Sequence, residues 1–522
     1  MEKVYRLVWQ HAHSVVVSRA AHEVDRLIGL RVYRFIGLLV IALLTPNSSR
    51  LTAELLAQSA PKREFRGAWI QCVNGQYLGK TPAQLRAMLS SQLDVLESAG
   101  INAIIFQVRA EGDALYKSKY EPWSRYLTGQ QGLAPEDGWD PLEWMVGQCH
   151  SRGMECHAWI NPYRAKTKGT TALATNHAAV KYPSRVFRYG DLLIFDPAQE
   201  VNRQYTCMII EDILTRYDVD GLHMDDYFYP YPEAGQEIPD DGDANKRREN
   251  VNSLIEDIYH TCRRVKPWVK FGISPFGIYH NNPAGINSKE GSATNGLQNY
   301  DQLYADVVLW QQKGWVDYLI PQIYWNIGNR AADYAVLCEW WSNFCGGRPL
   351  YVGQDIERTL KENQTERKYT IQRFLRNIKG SCQWYAAAVV NNPDYLHDLQ
   401  TKWHATPALQ PSMPWIDDTP PGKVKGLKVQ VVQGVQGTQG GIYLTWKAPK
   451  AKKEMDRAVQ YAVYRFSKGE KIDIDASDAA QHLVGVVSDT RYRLVGNQSG
   501  YVFVVTALDR LHNESKIKKI KL

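Results

Sequence analysis

From Arg66 onward, short runs rich in β-branched and aromatic residues alternate with longer amphipathic stretches. The alternation repeats eight times in roughly 330 residues, the length of a (β/α)8 barrel with some long loops. The expected strands are 67–72 (GAWIQC), 103–108 (AIIFQV), 155–160 (ECHAWI), 221–225 (GLHMD), 270–274 (KFGIS), 318–323 (YLIPQI), 350–354 (LYVGQ) and 382–386 (CQWYA). Between them, 82–99 carries Leu85, Met88, Leu89, Leu93 and Leu96 at helical spacing before Gly100 ends it, and 251–265 carries Val251, Leu254, Ile255, Ile258 and Cys262 on one face. Alternating strands and helices predict a parallel sheet, because a parallel pair needs a crossover that a helix supplies. A doubly wound open sheet satisfies the same pattern, but it usually places a Gly-rich phosphate loop after its first strand. Here that strand runs into CVNGQYLGKTP, which has neither G-x-G-x-x-G nor the P-loop spacing. The expected fold class is α/β, a TIM barrel over residues 61–406.

Barrel chemistry sits at the C-terminal ends of the strands, and polar residues gather there. Trp69 lies in the first strand. The second ends in Arg109, followed by Glu111 and Asp113. The third holds His157 and ends in Asn161, Tyr163 and Arg164. The fourth holds His223 and ends in Asp225, Asp226 and Tyr227. Ser274 ends the fifth, Gln322, Tyr324 and Trp325 the sixth, and Asp355 and Glu357 follow the seventh. The N-terminal ends show nothing comparable, and this one-sided bias points to an enzyme.

No G-x-S-x-G elbow, Cys–His nucleophile pattern or H-E-x-x-H is present. His157, His223 and Asp225 have the chemistry to hold a divalent metal, as a deacetylase would need, but inward-facing barrel histidines as often bond to carboxylates. No metal or cofactor is expected. What remains is carboxylates among aromatics. Glycoside cleavage needs one carboxylic acid to protonate the leaving oxygen and a second carboxylate as nucleophile or base. Glu111, Asp225 and Asp226 are the expected catalysts. Neighbouring residues on a strand point to opposite faces, so Asp225 should share the barrel interior with His223 while Asp226 turns into the loop. Arg109 and Arg164 are expected to hold one carboxylate ionised. The competing reading is a structural ion-pair network of Arg109, Glu111, Asp225 and Arg164. Trp69, Arg109, Asp113, His157, Asn161, Tyr163, Arg164, His223, Tyr227, Gln322, Tyr324 and Trp325 are the expected substrate contacts.

FRGAWI (65–70), FQVRAEGDALYKSKYEPWSRYLTG (106–129), HAWINPYR (157–164), VDGLHMDDYFYP (219–230), KFGISPFGIY (270–279) and GWVDYLIPQIYW (314–325) together resemble the glycosyl-hydrolase-like 10 family of bacterial envelope proteins. The resemblance spans about residues 63–405 and implies a TIM-barrel hydrolase with cell-wall glycan as its substrate. Its acidic motif after the second strand falls on Glu111 and Asp113, with Ala110 where the family pattern has Pro, and its fourth-strand motif on Asp225 and Asp226. A strand-four Asp is often the nucleophile in related barrels, which favours Asp225. A glycan-binding barrel without activity is the alternative to an enzyme.

The chain's two ends carry other signals. Residues 35–44 (FIGLLVIALL) follow Arg31 and Arg34 and precede small and polar residues, the parts of a secretory signal over 1–60. The run is too short for a comfortable membrane span, so an exported, periplasmic or envelope-associated chain with no stable span once mature is expected. Residues 407–421 hold five prolines and read as a linker. Beyond it, strands at 426–432, 442–446, 458–466, 492–495 and 501–508 resemble a seven-strand fibronectin type III sandwich over 422–522. From Lys423 onward there are 18 Lys and Arg against 9 Asp and Glu, while the body between residue 60 and that tail is mildly acidic. Such a distribution is not that of a nucleic-acid binder; the expected partners are the wall glycan and envelope or division proteins. The eight cysteines show no C-x-x-C, so buried free thiols are expected, with Cys338–Cys345 the one pairing worth weighing.

Overall fold

The computed structural model describes residues 60–522 apart from 170–171, 346 and 434–439, so the expected export segment, its last residue aside, lies outside the described residues. Eight parallel strands close into a barrel: β1 Phe65–Ile70, β2 Ala103–Arg109, β3 Glu155–Ile160, β4 Gly221–Met224, β5 Lys270–Ile273, β6 Tyr318–Leu319, β7 Leu350–Asp355 and β8 Ile378–Trp384. The ring closes where Phe65 of β1 pairs with Gly380 of β8. Each expected strand is present. The largest shift is at β8, expected at 382–386, because Ala386–Val390 (AAAVV) starts a helix there.

The helices have local causes. Pro82–Ser98 opens with a Thr81/Gln84 capping box and a proline in its first turn, and it buries Leu85, Leu89, Leu93 and Leu96 against the barrel. Ala244–Val265 is capped by Asp243 and starts seven residues before the periodic signal, whose first turns (ANKRREN) are polar on all sides. The long connection after β3 forms a three-stranded antiparallel sheet, Arg164–Lys166, Val186–Tyr189 and Leu192–Phe195, which the alternation did not announce.

The proline-rich stretch is not a free linker. Leu409 bridges to the start of β1, its N–H donating to Lys62 O (2.9 Å) and its carbonyl accepting from Glu64 N (2.8 Å). Met413 is 1% exposed within the barrel-floor cluster, and Trp415 Nε1 donates to Asp317 (2.9 Å). Composition read these residues as a spacer because of the prolines, yet the apolar residues between them seal the N-terminal end of the barrel.

Among the described residues the C-terminal module has seven strands, β9 Lys425–Val432, β10 Gly441–Lys447, β11 Gln460–Ser467, β12 Leu483–Val487, β13 Arg491–Leu494, β14 Tyr501–Leu508 and β15 Lys518–Lys521. They form antiparallel sheets in the orders β9-β10-β13 and β12-β11-β14-β15, around Leu444, Trp446, Val463, Phe503 and Val505. Two of them, β12 and β15, lie outside the five strand positions read from the sequence. The module packs directly on the barrel floor: Leu511 joins the barrel core, Arg510 Nη2 donates to Asp218 (2.7 Å), and Gln460 donates to Gly153 O (2.8 Å). All eight cysteines are free, Cys338 and Cys345 included. Among the described residues no helix is long and apolar enough to cross a membrane.

Candidate active site

A cleft of about 600 Å³ opens at the C-terminal ends of the strands. Its lining takes in eight of the expected residues, Trp69, Tyr163, Arg164, Asp225, Asp226, Tyr227, Gln322 and Tyr324, together with Ser274. Arg109, Glu111, Asp113, His157, Asn161, His223 and Trp325 lie behind it.

Asp225 and Asp226 follow β4 directly and both line the cleft, so Asp226 does not turn away into the loop as expected. The chain leaves the strand at Met224, and each carboxylate then finds donors on a different neighbour. Asp225 Oδ2 accepts from Asn161 Nδ2 (2.5 Å) and Trp159 Nε1 (3.2 Å), leaving Oδ1 with only a long contact from Tyr227 N (3.4 Å). Asp226 accepts from Gln322 Nε2 (2.9 Å) and from the Tyr231 hydroxyl. Burial pushes the Asp225 carboxyl up to about 6; the Arg164 guanidinium opposes that rise and the Asp226 charge adds to it. Burial also raises Asp226, against the hydrogen bonds from Tyr231 and Gln322. Arg164 lies over the Tyr227 ring at 3.4 Å, which fixes this cation beside the pair.

The walls are aromatic. Trp384 packs edge-on against Trp69 (6.0 Å) and Trp159 (6.3 Å), and Tyr324 stacks on Trp384 (6.0 Å). Trp159, Tyr231 and Trp384 were not picked out from sequence. The first had a signal, since it alternates with His157 and so faces the same way along β3.

The residues behind the cleft serve other ends. Arg109 does not hold a catalytic carboxylate. It is fully buried, forks onto Glu121 (2.7 and 2.8 Å) and donates to Asn161 O (2.5 Å). Glu111 lies under the wall formed by Tyr126 and Thr167, where its oxygens accept from Arg125 Nε (2.9 Å), Arg125 Nη2 (3.3 Å) and Thr167 N (2.9 Å). Asp113 caps the Glu111 turn and accepts from Gln131 (3.0 Å). The expected network of Arg109, Glu111, Asp225 and Arg164 is thus two separate pairs, Arg109–Glu121 and Glu111–Arg125, plus Arg164 beside Asp225. Trp325 packs on Phe276 (5.3 Å) outside the cleft. Asp355 caps the helix Ile356–Lys361, and Glu357 accepts from Tyr385 (3.1 Å). His157 and His223 are both engaged with Tyr318, and among the described residues no three His, Cys, Asp or Glu side chains converge as metal ligands.

This placement separates two carboxylates that sequence treated alike. Glu111→Gln should destabilise the fold by about 2 kcal/mol, the scale of a buried charge-assisted hydrogen bond, while turnover stays within about tenfold of the native protein. Denaturant melts beside steady-state rates check this; a loss of turnover beyond a thousandfold at unchanged stability would return Glu111 to the reacting centre.

The model for the family described as glycosyl hydrolase-like 10 matches residues 64–371. The chain is 37% identical over 501 residues to Glycosyl hydrolase YngK of Bacillus subtilis (strain 168), a match covering 90% of this chain and 95% of that protein. It is 32% identical over 400 residues to Glycosyl hydrolase DigH of Escherichia coli (strain K12), covering 68% of this chain and 88% of that protein.

Proposed function

The chain belongs to the glycosyl hydrolase-like 10 family, and from that premise we propose that it is an exported glycoside hydrolase acting on the glycan of the bacterial cell wall. The observation that carries this reading is the buried Asp225–Asp226 pair in an aromatic-walled cleft. Burial and the neighbouring charge oppose joint ionisation of the two carboxyls, so below about pH 6 one of them keeps a proton. That supplies both an acid for the leaving oxygen and a carboxylate for the sugar carbon or its attacking water. Asp225 Oδ1, the less engaged oxygen, is the reacting atom. Tyr324 and Trp384 offer flat apolar surfaces to sugar rings, with the buried edges of Trp69 and Trp159 behind them, and Arg164 orients polar substituents beside the pair. Export rests on the basic and apolar N-terminal sequence, and wall glycan on the likeness of the chain to its family. Envelope or division proteins are the partners that such a location would offer.

Purified wall glycan, with and without stem peptides, is the substrate to test. New reducing or anhydro ends are expected, and the rate should fall as pH rises through about 6, the value to which Asp225 is raised, because the acid's proton is lost there. Binding without any turnover on either substrate would establish instead a glycan-binding barrel. A rate that keeps rising from pH 6 to 8 would overturn the assignment of the acid to this pair.

A further inference from the structure

A file of hydrogen bonds runs along the barrel axis from the C-terminal module to the cleft floor. His512 Nε2 bonds Glu155 Oε1 (2.7 Å), and Glu155 Oε2 bonds His157 Nε2 (2.8 Å). His157 Nδ1 bonds the Tyr318 hydroxyl (2.7 Å), which bonds His223 Nδ1 (3.1 Å). His223 Nε2 then meets Ser274 Oγ (2.9 Å) and, at a longer 3.4 Å, Trp69 Nε1. All seven residues are buried, and the last two line the cleft. Glycines clear the path. A Cβ on Gly221 would sit 2.4 Å from the His157 ring, and one on Gly272 would sit 2.0 Å from the Tyr318 ring.

The protons in this file have one consistent order. Glu155 is anionic beside Lys270, so it accepts, and His157 Nε2 carries a proton. At the far end an indole N–H can only donate, so His223 Nε2 must accept. These ends agree if both imidazoles are neutral: Nε2–H of His157 donates to Glu155, the Tyr318 O–H donates to His157 Nδ1, and the His223 Nδ1–H donates to the Tyr318 oxygen. A second proton on His157 would reverse the Tyr318 hydroxyl, put a proton on His223 Nε2 and set it against the indole N–H. The tautomer of His223 is therefore fixed from both ends of the file, by Trp69 beside it and by Glu155 across the barrel.

We infer that Glu155, His157 and Tyr318 are positioning residues that hold His223 with its Nε2 unprotonated toward Trp69 and Ser274, and that His512 ties this lock to the docked C-terminal module. The module thereby becomes part of the catalytic unit, since its histidine helps hold the carboxylate from which the order starts. The inference rests on the proposed function only for what the floor binds.

Nitrogen-15 NMR of the full chain labelled at histidine tests it without reference to activity. The proton of His157 should sit on Nε2 and that of His223 on Nδ1. Tyr318→Phe keeps the ring and removes the link; the Nδ1 resonances of both His157 and His223 should then move from their native positions. Binding of an N-acetylglucosamine tetramer, read by tryptophan fluorescence, should weaken about tenfold, the scale of a lost supporting contact. His512→Leu should move the His157 resonances, and His512→Gln, which keeps a donor for Glu155, should leave them in place. An Nε2-protonated or doubly protonated His223, or a folded Tyr318→Phe with native resonances and native binding, would overturn the inference. If the native protein shows the expected tautomers but binds no tetramer and cleaves no glycan, the proposed function fails and the axial order stands.

Discussion

Asp225→Asn should reduce turnover on wall glycan by about a thousandfold or more, a barrier increase of roughly 4 kcal/mol, while glycan binding and the melting transition stay close to native. The asymmetry follows from the hydrogen bonds. Asparagine keeps one oxygen, which can face the Asn161 and Trp159 donors that Oδ2 now accepts from. The amide then falls where Oδ1 stood, so the packing survives and the reacting oxygen is lost. Asp226→Asn gives a different signature. Its side-chain oxygen can still accept from Gln322 and its amide can donate to Tyr231, so the cleft again keeps its shape. The charge that helps raise Asp225 is gone, however. A like charge raises a neighbouring carboxyl, so removing it should lower Asp225 from about 6 toward 3.8. Any residual activity should accordingly decline at lower pH than in the native protein. Rates and pH profiles of both variants on one glycan preparation decide this. Native turnover in Asp225→Asn, or an Asp226→Asn profile that does not move, would remove the pair from the chemistry.

The barrel was legible because its signal is periodic. Strand runs such as AIIFQV and ECHAWI, buried on both faces, recur at spacings that only helices fill, and β2 and β3 fall within a residue of where the pattern places them. The fourth-strand pair was legible for a related reason, since charge at the end of an apolar strand costs too much unless it is used or paired. What pairs with what was not legible. Glu121 lies twelve residues from Arg109 and Arg125 fourteen from Glu111 in sequence; the loop after β2 folds back to deliver both, and no local period marks that return. Trp384 had the same difficulty, because only the closed ring brings β8 beside β1 and so sets Trp384 against Trp69. The proline-rich segment misled in the other direction. Proline punctuation reports where regular structure stops, and whether the residues between are buried depends on an apolar surface that exists only after the barrel closes.

The Arg109–Glu121 pair allows stability and catalysis to be separated. Both side chains are fully buried, and Tyr205 donates to the same carboxylate (3.2 Å). Glu121→Ala leaves a guanidinium without its counter-charge in the interior, which should cost about 3–5 kcal/mol of folding free energy. Replacing both partners, as in Arg109→Met with Glu121→Leu, removes the unpaired charge and should recover most of that loss, because two desolvated ions are exchanged for apolar packing. Turnover should not recover with it. Arg109 also donates to the carbonyl of Asn161, and Asn161 donates to Asp225 Oδ2. The double variant frees the backbone that aims Asn161, so it should melt near the native protein yet turn over about tenfold more slowly, with the deficit in kcat because the aromatic walls are untouched. Denaturant titration and steady-state rates on the single and double variants are sufficient to check this. A single variant that loses less than about 1 kcal/mol would mean that water reaches the guanidinium. A double variant with native kcat would mean that Asp225 is oriented without help from the β2 arginine.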